Sequence, residues 1–599
     1  MEVKRIMVIR EFLRKYGWAY LPGMIFLALN SYIQSKAPAA LGDAIDLLSD
    51  GAPKEKVLKQ AGIIALIGLG VFAARFVWRL FIIGNARKME VFLREKLYLK
   101  LLCLPLDFYQ KHTSGDLMAY AISDVGAVRI TFGPVLAQSF NGIVIAGLSI
   151  IGMISEVDWR MTLLALAPVP LAAGTTIFLG NKVQKRFGRV QKLFSKLSGF
   201  VGESISGIKV TKAFAKESER ERQFDEISDE MRDANVKLAE TSSLITPAVT
   251  ATFGLSYAAA LIIGGNAVIA GSMGAGTLVT FLGYLLLVQQ PIVQLGNIIN
   301  RVQRGLASWK RLSAIFDEPS IKPREDEIDK RIIEEFKPAV RAKNLTCRRE
   351  GADHDTLSDV NFDLRPGRTL GISGSTGSGK TTLLSLLMKL IPAGDGEIFV
   401  SERDINKIPA ATLRSQIGWV PQDGFLFSAT IAENIAFSAP FSDKDGKPIV
   451  DMERVKACAK IACIADEIEK FPDGYETEVG ERGTHLSGGQ KQRVSLARAL
   501  YSSPKLLLLD DTLSAVDNIT EKKLIENLGL SKKHENSETS IIIVSHRLSA
   551  LVHCDEIFHL ESGKIVERGT HEELLALGGY YASTYEKQQN EEEADKNGK

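Results

Sequence analysis

Residues 369–390 read TLGISGSTGSGKTTLLSLLMKL, and this stretch decides the fold of the second half of the chain. A short apolar run, TLGIS, leads into a glycine-rich loop that is followed by an apolar helical run. The loop fits the pattern G-x-x-x-x-G-K-[ST] in the strand–loop–helix context that the pattern requires. Its glycines let backbone N–H groups point at phosphate oxygens, and the helix N-terminus adds its positive end. The stretch therefore predicts a phosphate-binding loop.

Two side chains of this loop have predicted roles of their own. Lys380 is placed for the β- and γ-phosphates of a nucleotide, and Thr381 is placed for Mg²⁺. The nucleotide contacts predicted in the loop are Gly374, Ser375, Gly377, Ser378, Gly379, Lys380, Thr381 and Thr382.

Around the loop, short β-type runs such as IGWV, KLLLLD and SIIIVSH alternate with helical stretches. This alternation is typical of a parallel sheet with crossover helices. The run KLLLLDDTLSAVD (505–517) predicts a buried strand that ends in acid. Asp510 is the natural Mg²⁺ carboxylate opposite the phosphate loop, although an aspartate at this place also caps helices.

The sequence LSGGQ (486–490) precedes the helical run KQRVSLARAL. Ser487 and the paired glycines Gly488 and Gly489 offer a hydroxyl and backbone N–H groups to an anion at a helix N-terminus. The same Ser-Gly-Gly sequence also makes an ordinary helix cap, so both interpretations stay open here.

The first half of the chain has a different character. Charged residues are absent from 16–35, 60–74, 130–155, 161–181 and 241–300, and GSMGAG (271–276) divides the last stretch. A bilayer needs about 20 apolar residues per helix, so these stretches predict six membrane spans. A buried core of a soluble protein is a poor alternative, because 60 uncharged residues leave no polar face for water.

The charged segments predict the topology. The N-terminus, MEVKRIMVIREFLRKYGW, has the pattern of a basic amphipathic helix on the membrane surface. The long segments 85–129 and 182–240 are rich in Lys and Arg, which places them with the N-terminus and the C-terminal half in the cytoplasm. Lys54, Lys56 and Lys59 weakly oppose this orientation. Both long segments are expected to continue the spanning helices and to turn near residues 107–118 and 207–217.

Composition supports a chain of two parts. The 599 residues carry a net charge of +2, are 45% hydrophobic and 24% charged, and have a mean hydropathy of +0.04 that averages two unlike halves. These values exclude a disordered polyelectrolyte and a protein that binds nucleic acid through bulk charge. Free, neutral thiols in a reducing compartment are expected at the five cysteines, Cys103, Cys347, Cys458, Cys463 and Cys554.

The ordered motifs resemble the nucleotide-binding domain of ATP-binding cassette (ABC) transporters. The order is phosphate loop, Gln422 in WVPQDGFLF, LSGGQ, LLLLDD, SAVD and His546 in IIIVSHR. TEVGERG (477–483) resembles the exporter-type segment that senses the membrane domain. Six spans before the cassette resemble a half-transporter of the multidrug-exporter type.

This resemblance implies a membrane α-helical domain with six transmembrane helices, followed by an α/β P-loop ATPase domain. The expected boundaries are 1–315 for the transmembrane domain, 316–338 for a linker, 339–585 for the nucleotide-binding domain and 586–599 for a charged, disordered tail. The implied function is ATP-driven export of amphipathic or hydrophobic substrates, drug- or lipid-like, by alternating access. An ATP-gated channel or regulator and a chelate importer are the alternatives on the same fold.

The resemblance also implies that two such chains pair and sandwich two ATP molecules with Mg²⁺. Each nucleotide would be held by the phosphate loop of one chain and by Ser487, Gly488, Gly489 and Gln490 of the other. Gln422 would sense Mg²⁺ and the attacking water, His546 would contact the γ-phosphate, and Asp517 would lie at the dimer interface. The implied metal ligands are Thr381, Gln422 and Asp510. The tips Phe108–Leu117 and Ile208–Glu217 would be coupling helices.

Two positions depart from the family pattern. Asp511 stands where the family normally has a glutamate that acts as general base or orients the attacking water. Its carboxylate falls roughly 1–1.5 Å short, and a misplacement of about 1 Å can slow a reaction on the order of 10²-fold. Arg349, or its neighbour Arg348, stands where an aromatic ring stacks on adenine, although arginine can also stack. We therefore expect a weakly hydrolytic site and a different partner chain with glutamate at that position. A working homodimer is the alternative.

The expected location is a bacterial inner (plasma) membrane, with the ATPase domain cytoplasmic and with lipids and a small amphipathic substrate as partners. Arg75 and Arg79 either reach the inner headgroups or form an anion-contacting patch. Kinks are expected at Pro168, Pro170 and Pro291. Other polar candidates inside the spans are Asn30, Gln34, Gln138, Asn141, Asn266, Gln289, Gln290 and Asn297.

Overall fold

The computed structural model describes residues 2–319, 329–349, 354–440, 448–480, 486–514, 516–530 and 539–597. The chain divides into two compact units. The first comprises Met1–Leu102 and His112–Pro319, and the second comprises Cys103–Lys111 and Ser320–Lys599.

The first unit is helical throughout its described length, as expected for segments that cross hydrocarbon, because lipid offers no hydrogen-bond partner to a peptide group. Its helices, in chain order, are α1 (Glu2–Tyr16), α2 (Tyr20–Ser35), α3 (Ala37–Ser49), α4 (Lys54–Leu102), α6 (Ser114–Glu156), α7 (Trp159–Ser206), α8 (Ile208–Ala213), α9 (Glu217–Ile269) and α10 (Ala275–Asp317). Helix α5 (Leu106–Lys111) lies between α4 and α6 in the chain but belongs to the second unit.

The helices account for the predicted spans. Within the described residues, α4, α6, α7, α9 and α10 are each long and apolar enough to span a bilayer. The first predicted span, 16–35, coincides with α2, which ends at Ser35, and Lys36 breaks the helix there before α3 begins next to Pro38. We assign the remaining crossing to α2, and the predicted fold class is confirmed.

The long charged segments continue the spans as helices, as predicted. Helix α4 alone has 49 residues, which corresponds to about 70 Å, more than twice the hydrocarbon thickness of ~30 Å. The turning points lie at the short helices α5 and α8. Pro168 interrupts α7 between Leu166 and Val169, whereas Pro291 lies inside continuous helix. Two π-helical turns in α6, the second around Pro134, were not predicted.

Helices α3 and α10 cross at very short range. A Cβ atom on Gly276 would lie 2.0 Å from the Gly42 carbonyl oxygen. The Gly276 N–H donates to Asp46 Oδ1 (2.6 Å), and Thr280 Oγ1 donates to the Pro38 carbonyl (3.2 Å). Glycine at positions 42 and 276 allows this close approach of the two helices. The Asp46 side chain of α3 also caps the N-terminus of α10.

Buried charges tie the extensions of the spans together. Glu90 of α4 is 8% exposed and pairs with Arg94 (2.8 Å) and with Arg129 of α6 (3.2 Å). Asp124 of α6 accepts hydrogen bonds from Ser308 Oγ (2.7 Å) and Arg311 Nε (3.0 Å) of α10. These pairs fix α4, α6 and α10 to one another beyond the apolar stretches.

The second unit has two sheets. Its strands are β1 (Val340–Cys347), β2 (Leu357–Leu364), β3 (Thr369–Gly374), β4 (Ile398–Val400), β5 (Arg403–Asp404), β6 (Ile417–Val420), β7 (Leu506–Asp510), β8 (Ser540–Val544), β9 (Glu556–Glu561) and β10 (Lys564–Gly569). The larger sheet has the strand order β10-β9-β3-β8-β7-β6, and its strands β9, β3, β8, β7 and β6 run parallel. The smaller sheet is antiparallel and has the order β2-β1-β4-β5.

Helices flank the larger sheet, and β7 and β8 are buried along their whole length, as parallel strands covered on both faces should be. The helices are α11 (Lys330–Glu334), α12 (Lys380–Leu387), α13 (Ala410–Ser415), α14 (Ile431–Ile435), α15 (Met452–Ile461), α16 (Ala465–Ile468), α17 (Gly488–Tyr501), α18 (Asn518–Asn527), α19 (His571–Leu577) and α20 (Tyr580–Asn597).

Two predicted boundaries concern the ends of the units. Residues 586–597 of the predicted tail continue helix α20, whose Gln, Glu, Lys and Ala residues favour helix and whose first turn is anchored by Tyr581 at 0% exposure. The boundary at residue 585 stays a prediction. The predicted linker at 316–338 lies partly outside the described residues, which resume after α10 at residue 329.

Substitution of Gly276 with alanine tests the α3–α10 crossing. The added methyl would overlap the Gly42 carbonyl, so Gly276→Ala should destabilise the chain by about 1–3 kcal/mol. Thermal unfolding of the detergent-solubilised chain measures the effect. Gly265→Ala is the matched control, because nothing lies within 4 Å of that position and alanine there favours helix. Equal midpoints for the two variants would contradict the proposed packing.

Candidate nucleotide-binding site

Glycine is required at two places in the phosphate loop between β3 and α12. Gly374 has φ +150° and Gly379 has φ +107°, both in the region that side chains disfavour. A Cβ atom would lie 2.2 Å from the Leu560 carbonyl oxygen at Gly374 and 2.7 Å from the Thr356 carbonyl oxygen at Gly379. At these two positions the loop is therefore packed against its neighbours through bare backbone, and a side chain would not fit.

Lys380 begins helix α12 and lies across the loop. Its Nζ donates to the carbonyl oxygens of Gly374 (2.8 Å) and Ser375 (2.7 Å), and the residue is 6% exposed. Burial lowers the pKa of this ammonium, while the nearby carboxylates Asp511 and Asp510 oppose that shift. A buried ammonium held by two neutral carbonyls is a ready partner for a phosphate.

Asp510 ends β7 directly opposite Thr381. Thr381 Oγ1 donates to Asp510 Oδ1 at 3.4 Å, and Asp510 is 2% exposed. Burial, with the neighbouring charge of Asp511, raises the pKa of the Asp510 carboxyl. Among the described residues Asp510 Oδ2 has no hydrogen-bond partner. An unpartnered carboxylate oxygen beside a threonine hydroxyl fits Mg²⁺, which prefers oxygen ligands.

Asp511 adopts a left-handed backbone conformation, with φ +49°, that aspartate tolerates better than most residues. Its N–H donates to the Val544 carbonyl (2.8 Å), and its Oδ1 accepts the N–H of His546 (3.2 Å). The side chain is 9% exposed. Asp511 is therefore bonded to the segment that carries His546.

A pocket of about 330 Å³ joins most of the predicted residues of this site. Thr356, Thr376 and Val544 also line it, and sequence reasoning missed them because they belong to no distinctive pattern. The predicted residues in the lining are Arg349, Gly377, Gly379, Lys380, Thr381, Thr382, Gln422, Asp510, Asp511 and His546.

The structure distinguishes the two arginines offered for the adenine position. Arg348 Nε donates to Asp355 (2.9 Å), on an exposed surface. Arg349 lines the pocket, and its buried Nε has no partner among the described residues. Of the two arginines, Arg349 is therefore the one that lines the pocket.

The LSGGQ segment does not join this pocket: none of its residues is among the described lining residues. Ser487 caps α17 by accepting the Gln490 N–H (3.3 Å), and Gln490 Oε1 accepts the Ser487 N–H (2.8 Å). Glu467 of α16 fixes the cap by accepting from Gln490 Nε2 (2.9 Å) and Arg493 (2.7 Å). The helix-cap interpretation is thus correct within one chain, and Glu467 is a supporting residue that no motif signalled.

Other predicted residues lie outside the pocket. Asp517 caps α18 by accepting the N–H groups of Ile519 and Thr520 (3.2 and 3.1 Å). In TEVGERG, residues 477–480 are described and Glu478 forms an isolated antiparallel β-bridge with Thr430, whereas residues 481–483 lie outside the described part.

Burial raises the pKa of four thiols, as expected for neutral free cysteines: Cys347, Cys458, Cys463 and Cys554.

The two predicted tips differ in exposure. Helix α5 belongs to the second unit, and its Phe108 is 6% exposed. In and after α8, Val210 and Phe214 are 62% and 73% exposed. The first tip, Phe108–Leu117, is therefore divided between the two units at residue 111, and the second presents an apolar surface.

Comparison with known proteins agrees with this architecture. The family profile described as the ABC transporter transmembrane region matches residues 20–292, and the profile described as ABC transporter matches residues 357–514. The chain is 36% identical to the probable multidrug resistance ABC transporter ATP-binding/permease protein YheI of Bacillus subtilis, over 96% of this chain and 97% of that protein. It is 33% identical to the multidrug resistance-like ATP-binding protein MdlA of Escherichia coli, over 98% and 96%.

A solved structure supports the fold. A bacterial Atm1-family ABC exporter with ATP bound superposes with a TM-score of 0.76, covering 96% of this chain and 98% of that chain at 24% identity.

Removal of the Asp510 carboxylate tests the Mg²⁺ assignment. Mg²⁺ should tighten binding of a fluorescent ATP analogue to the wild-type chain, and EDTA should remove that gain. In Asp510→Asn the affinity should be the same with Mg²⁺ as with EDTA, because a carboxylate ligand is lost. Asp473→Asn, at an exposed position of the same unit, is the control and should keep the response. A full Mg²⁺ response in Asp510→Asn would refute the assignment.

Proposed function

The chain belongs to the ABC transporter family, and on that basis we propose that it is one half of a dimeric ABC exporter that moves amphipathic or hydrophobic, drug- or lipid-like substrates across a membrane by alternating access. It is an integral membrane ATPase coupled to transport. Membership in the family and the similarity to multidrug resistance proteins support the export of such substrates.

The observation that carries the dimer proposal is the incompleteness of the site. The phosphate loop, Asp510, Gln422 and His546 line one pocket, but the LSGGQ segment lies elsewhere on the same chain. Ser487 and the N-terminus of α17 are exposed, so a second chain can present the same elements to this pocket. Two cassettes arranged head to tail would complete both sites.

In such a dimer, each described side chain has a distinct task. Lys380 binds the terminal phosphates, and the loop N–H groups orient them. Thr381, Gln422 and Asp510 would hold Mg²⁺, which supplies charge neutralisation at the phosphates. His546 contacts the γ-phosphate and positions the attacking water. Arg349 packs against the base.

Asp511 makes this chain's own site weakly hydrolytic in our proposal. Its short side chain already accepts a hydrogen bond from the His546 N–H, so the carboxylate is held against that segment at the pocket wall. A natural partner is a different half-transporter with glutamate at the equivalent position, which this chain's Ser487 and Gly489 would complete. A homodimer is the alternative assembly.

The proposed location is the inner membrane of a bacterium, with the ATPase unit in the cytoplasm. The bacterial relatives support the organism class, and the Lys- and Arg-rich extensions of the spans support the orientation.

Replacement of Asp511 with glutamate tests the weak-site proposal. In the purified chain alone, Asp511→Glu should raise ATP turnover, by up to roughly 10²-fold if the missing methylene is the main defect. Asp511→Gln, which has the length of glutamate but no carboxylate, should not raise it, which separates carboxylate reach from side-chain size. Brisk turnover by the wild-type chain, abolished in Asp511→Ala, would instead establish a working homodimer.

Transport by vesicles tests export itself. Inverted membrane vesicles that contain the chain, alone or with its co-encoded partner, should accumulate a fluorescent amphipathic dye when ATP is added. Lys380→Ala should reduce accumulation, because the terminal phosphates lose their buried cation. Dye movement that requires ATP binding, but that follows the dye's concentration gradient both into and out of the vesicles, would favour an ATP-gated channel.

A further inference from the structure

The C-terminal helix α20 is firmly anchored to the nucleotide-binding unit. Glu567 of β10 accepts the backbone N–H groups of Tyr580 and Tyr581, the latter at 2.9 Å. Tyr581 is 0% exposed, and its hydroxyl lies 2.9 Å from His571 Nδ1. A carboxylate at the helix N-terminus and a buried aromatic ring in the first turn fix where the helix starts and where it points.

Two turns further along, Gln588 contacts the segment that follows β8. Its Nε2 donates to the carbonyl oxygen of His546 (2.8 Å), and its Oε1 accepts the N–H of Leu548 (3.0 Å). One amide group therefore bonds to the backbone on both sides of Arg547. A primary amide suits this pair of partners, since it offers one donor and one acceptor side by side.

Other contacts hold the neighbouring parts of the segment. Arg547 Nη1 donates to the Val516 carbonyl (3.0 Å), and Ser549 Oγ donates to Glu521 (2.7 Å). The N–H of His546 donates to Asp511 Oδ1 (3.2 Å). Of the hydrogen bonds described, those of Gln588 are the ones that fix the His546 carbonyl and the Leu548 N–H.

This arrangement bears on the pocket because Asp511 and Gln588 hold the two peptide groups that flank the His546 Cα, the first through its N–H and the second through its C=O. Rotation of either peptide group would move the His546 ring relative to the phosphate loop, and a misplacement of about 1 Å can slow a reaction on the order of 10²-fold. Groups that orient a reacting side chain contribute in this way without touching the substrate.

We propose that Gln588 is a positioning residue for His546, so that the C-terminal helix sets the hydrolysis rate of this chain's ATP site. The inference rests on the proposed function in one respect, namely the role of His546. It adds a residue and an element that lie outside every nucleotide motif of the chain, 42 residues beyond His546.

The test uses single-turnover hydrolysis of radiolabelled ATP by the full chain in detergent, in wild type and in an Asp511→Glu background. Gln588→Met keeps the side-chain length but removes both hydrogen bonds, and it should slow hydrolysis about tenfold or more. The dissociation constant of a fluorescent ATP analogue and the thermal midpoint should stay near their wild-type values. Gln588→Glu keeps only the acceptor for Leu548 and should slow hydrolysis as well.

Gln589→Met is the matched control, because Gln589 lies on the same helix and donates to the Tyr585 hydroxyl (3.2 Å). This variant should hydrolyse ATP at the wild-type rate. Unchanged hydrolysis in Gln588→Met, or a loss matched by equal loss in Gln589→Met or in nucleotide affinity, would overturn the proposal. His546→Ala is measured in parallel. If it hydrolyses at the wild-type rate, the role assigned to His546 has failed; if it is inactive while Gln588→Met is normal, only the positioning role has failed.

Discussion

The hydrogen-bond register of three parallel strands determines where the nucleotide-handling residues lie. Ile372 of β3 pairs with Val544 of β8, and Val544 pairs with Asp510 of β7. The phosphate loop starts two residues after Ile372 and His546 follows Val544 by two, so these groups meet at one sheet edge, as ligand sites of open α/β sheets do. A one-residue slip of β8 would move His546 by about 3.3 Å and reverse the faces of its strand. The buried leucines and isoleucines of β7 and β8 hold that register.

Sequence reasoning succeeded where a physical constraint is local. Uninterrupted apolar stretches predicted the spans because lipid forces each backbone to bond within its own helix, and the spacing of glycines and Lys380 predicted the phosphate loop because the ligand demands it. The break at Lys36 and the π turns in α6 were not predictable in this way, since tertiary packing selects them. The charge of the C-terminal residues suggested solvation, whereas those described up to Asn597 continue a helix that Tyr581 anchors and that is built from good helix formers.

The supporting residues of the site escaped prediction for a related reason. Glu467 bonds to Gln490 and Arg493, and Gln588 bonds to the backbone around Arg547. Each contact joins segments more than 20 residues apart, and each uses a side chain whose type is common on any helix surface. The motif residues are recognisable because their chemistry is rare, whereas the groups that orient them are recognisable only once the fold brings them together.

Asp511 and Gln588 together suggest how a site can bind nucleotide well and hydrolyse it slowly. Asp511 accepts the N–H of His546, while Gln588 donates to its carbonyl. The two peptide groups that flank the His546 Cα are therefore each held by a side chain of this chain. Under the proposed function, a longer glutamate would reach further into the pocket and leave the His546 N–H to another partner. Under the same proposal, an aspartate at this position would favour a fixed binding site over an active one, as a chain paired with a faster partner requires.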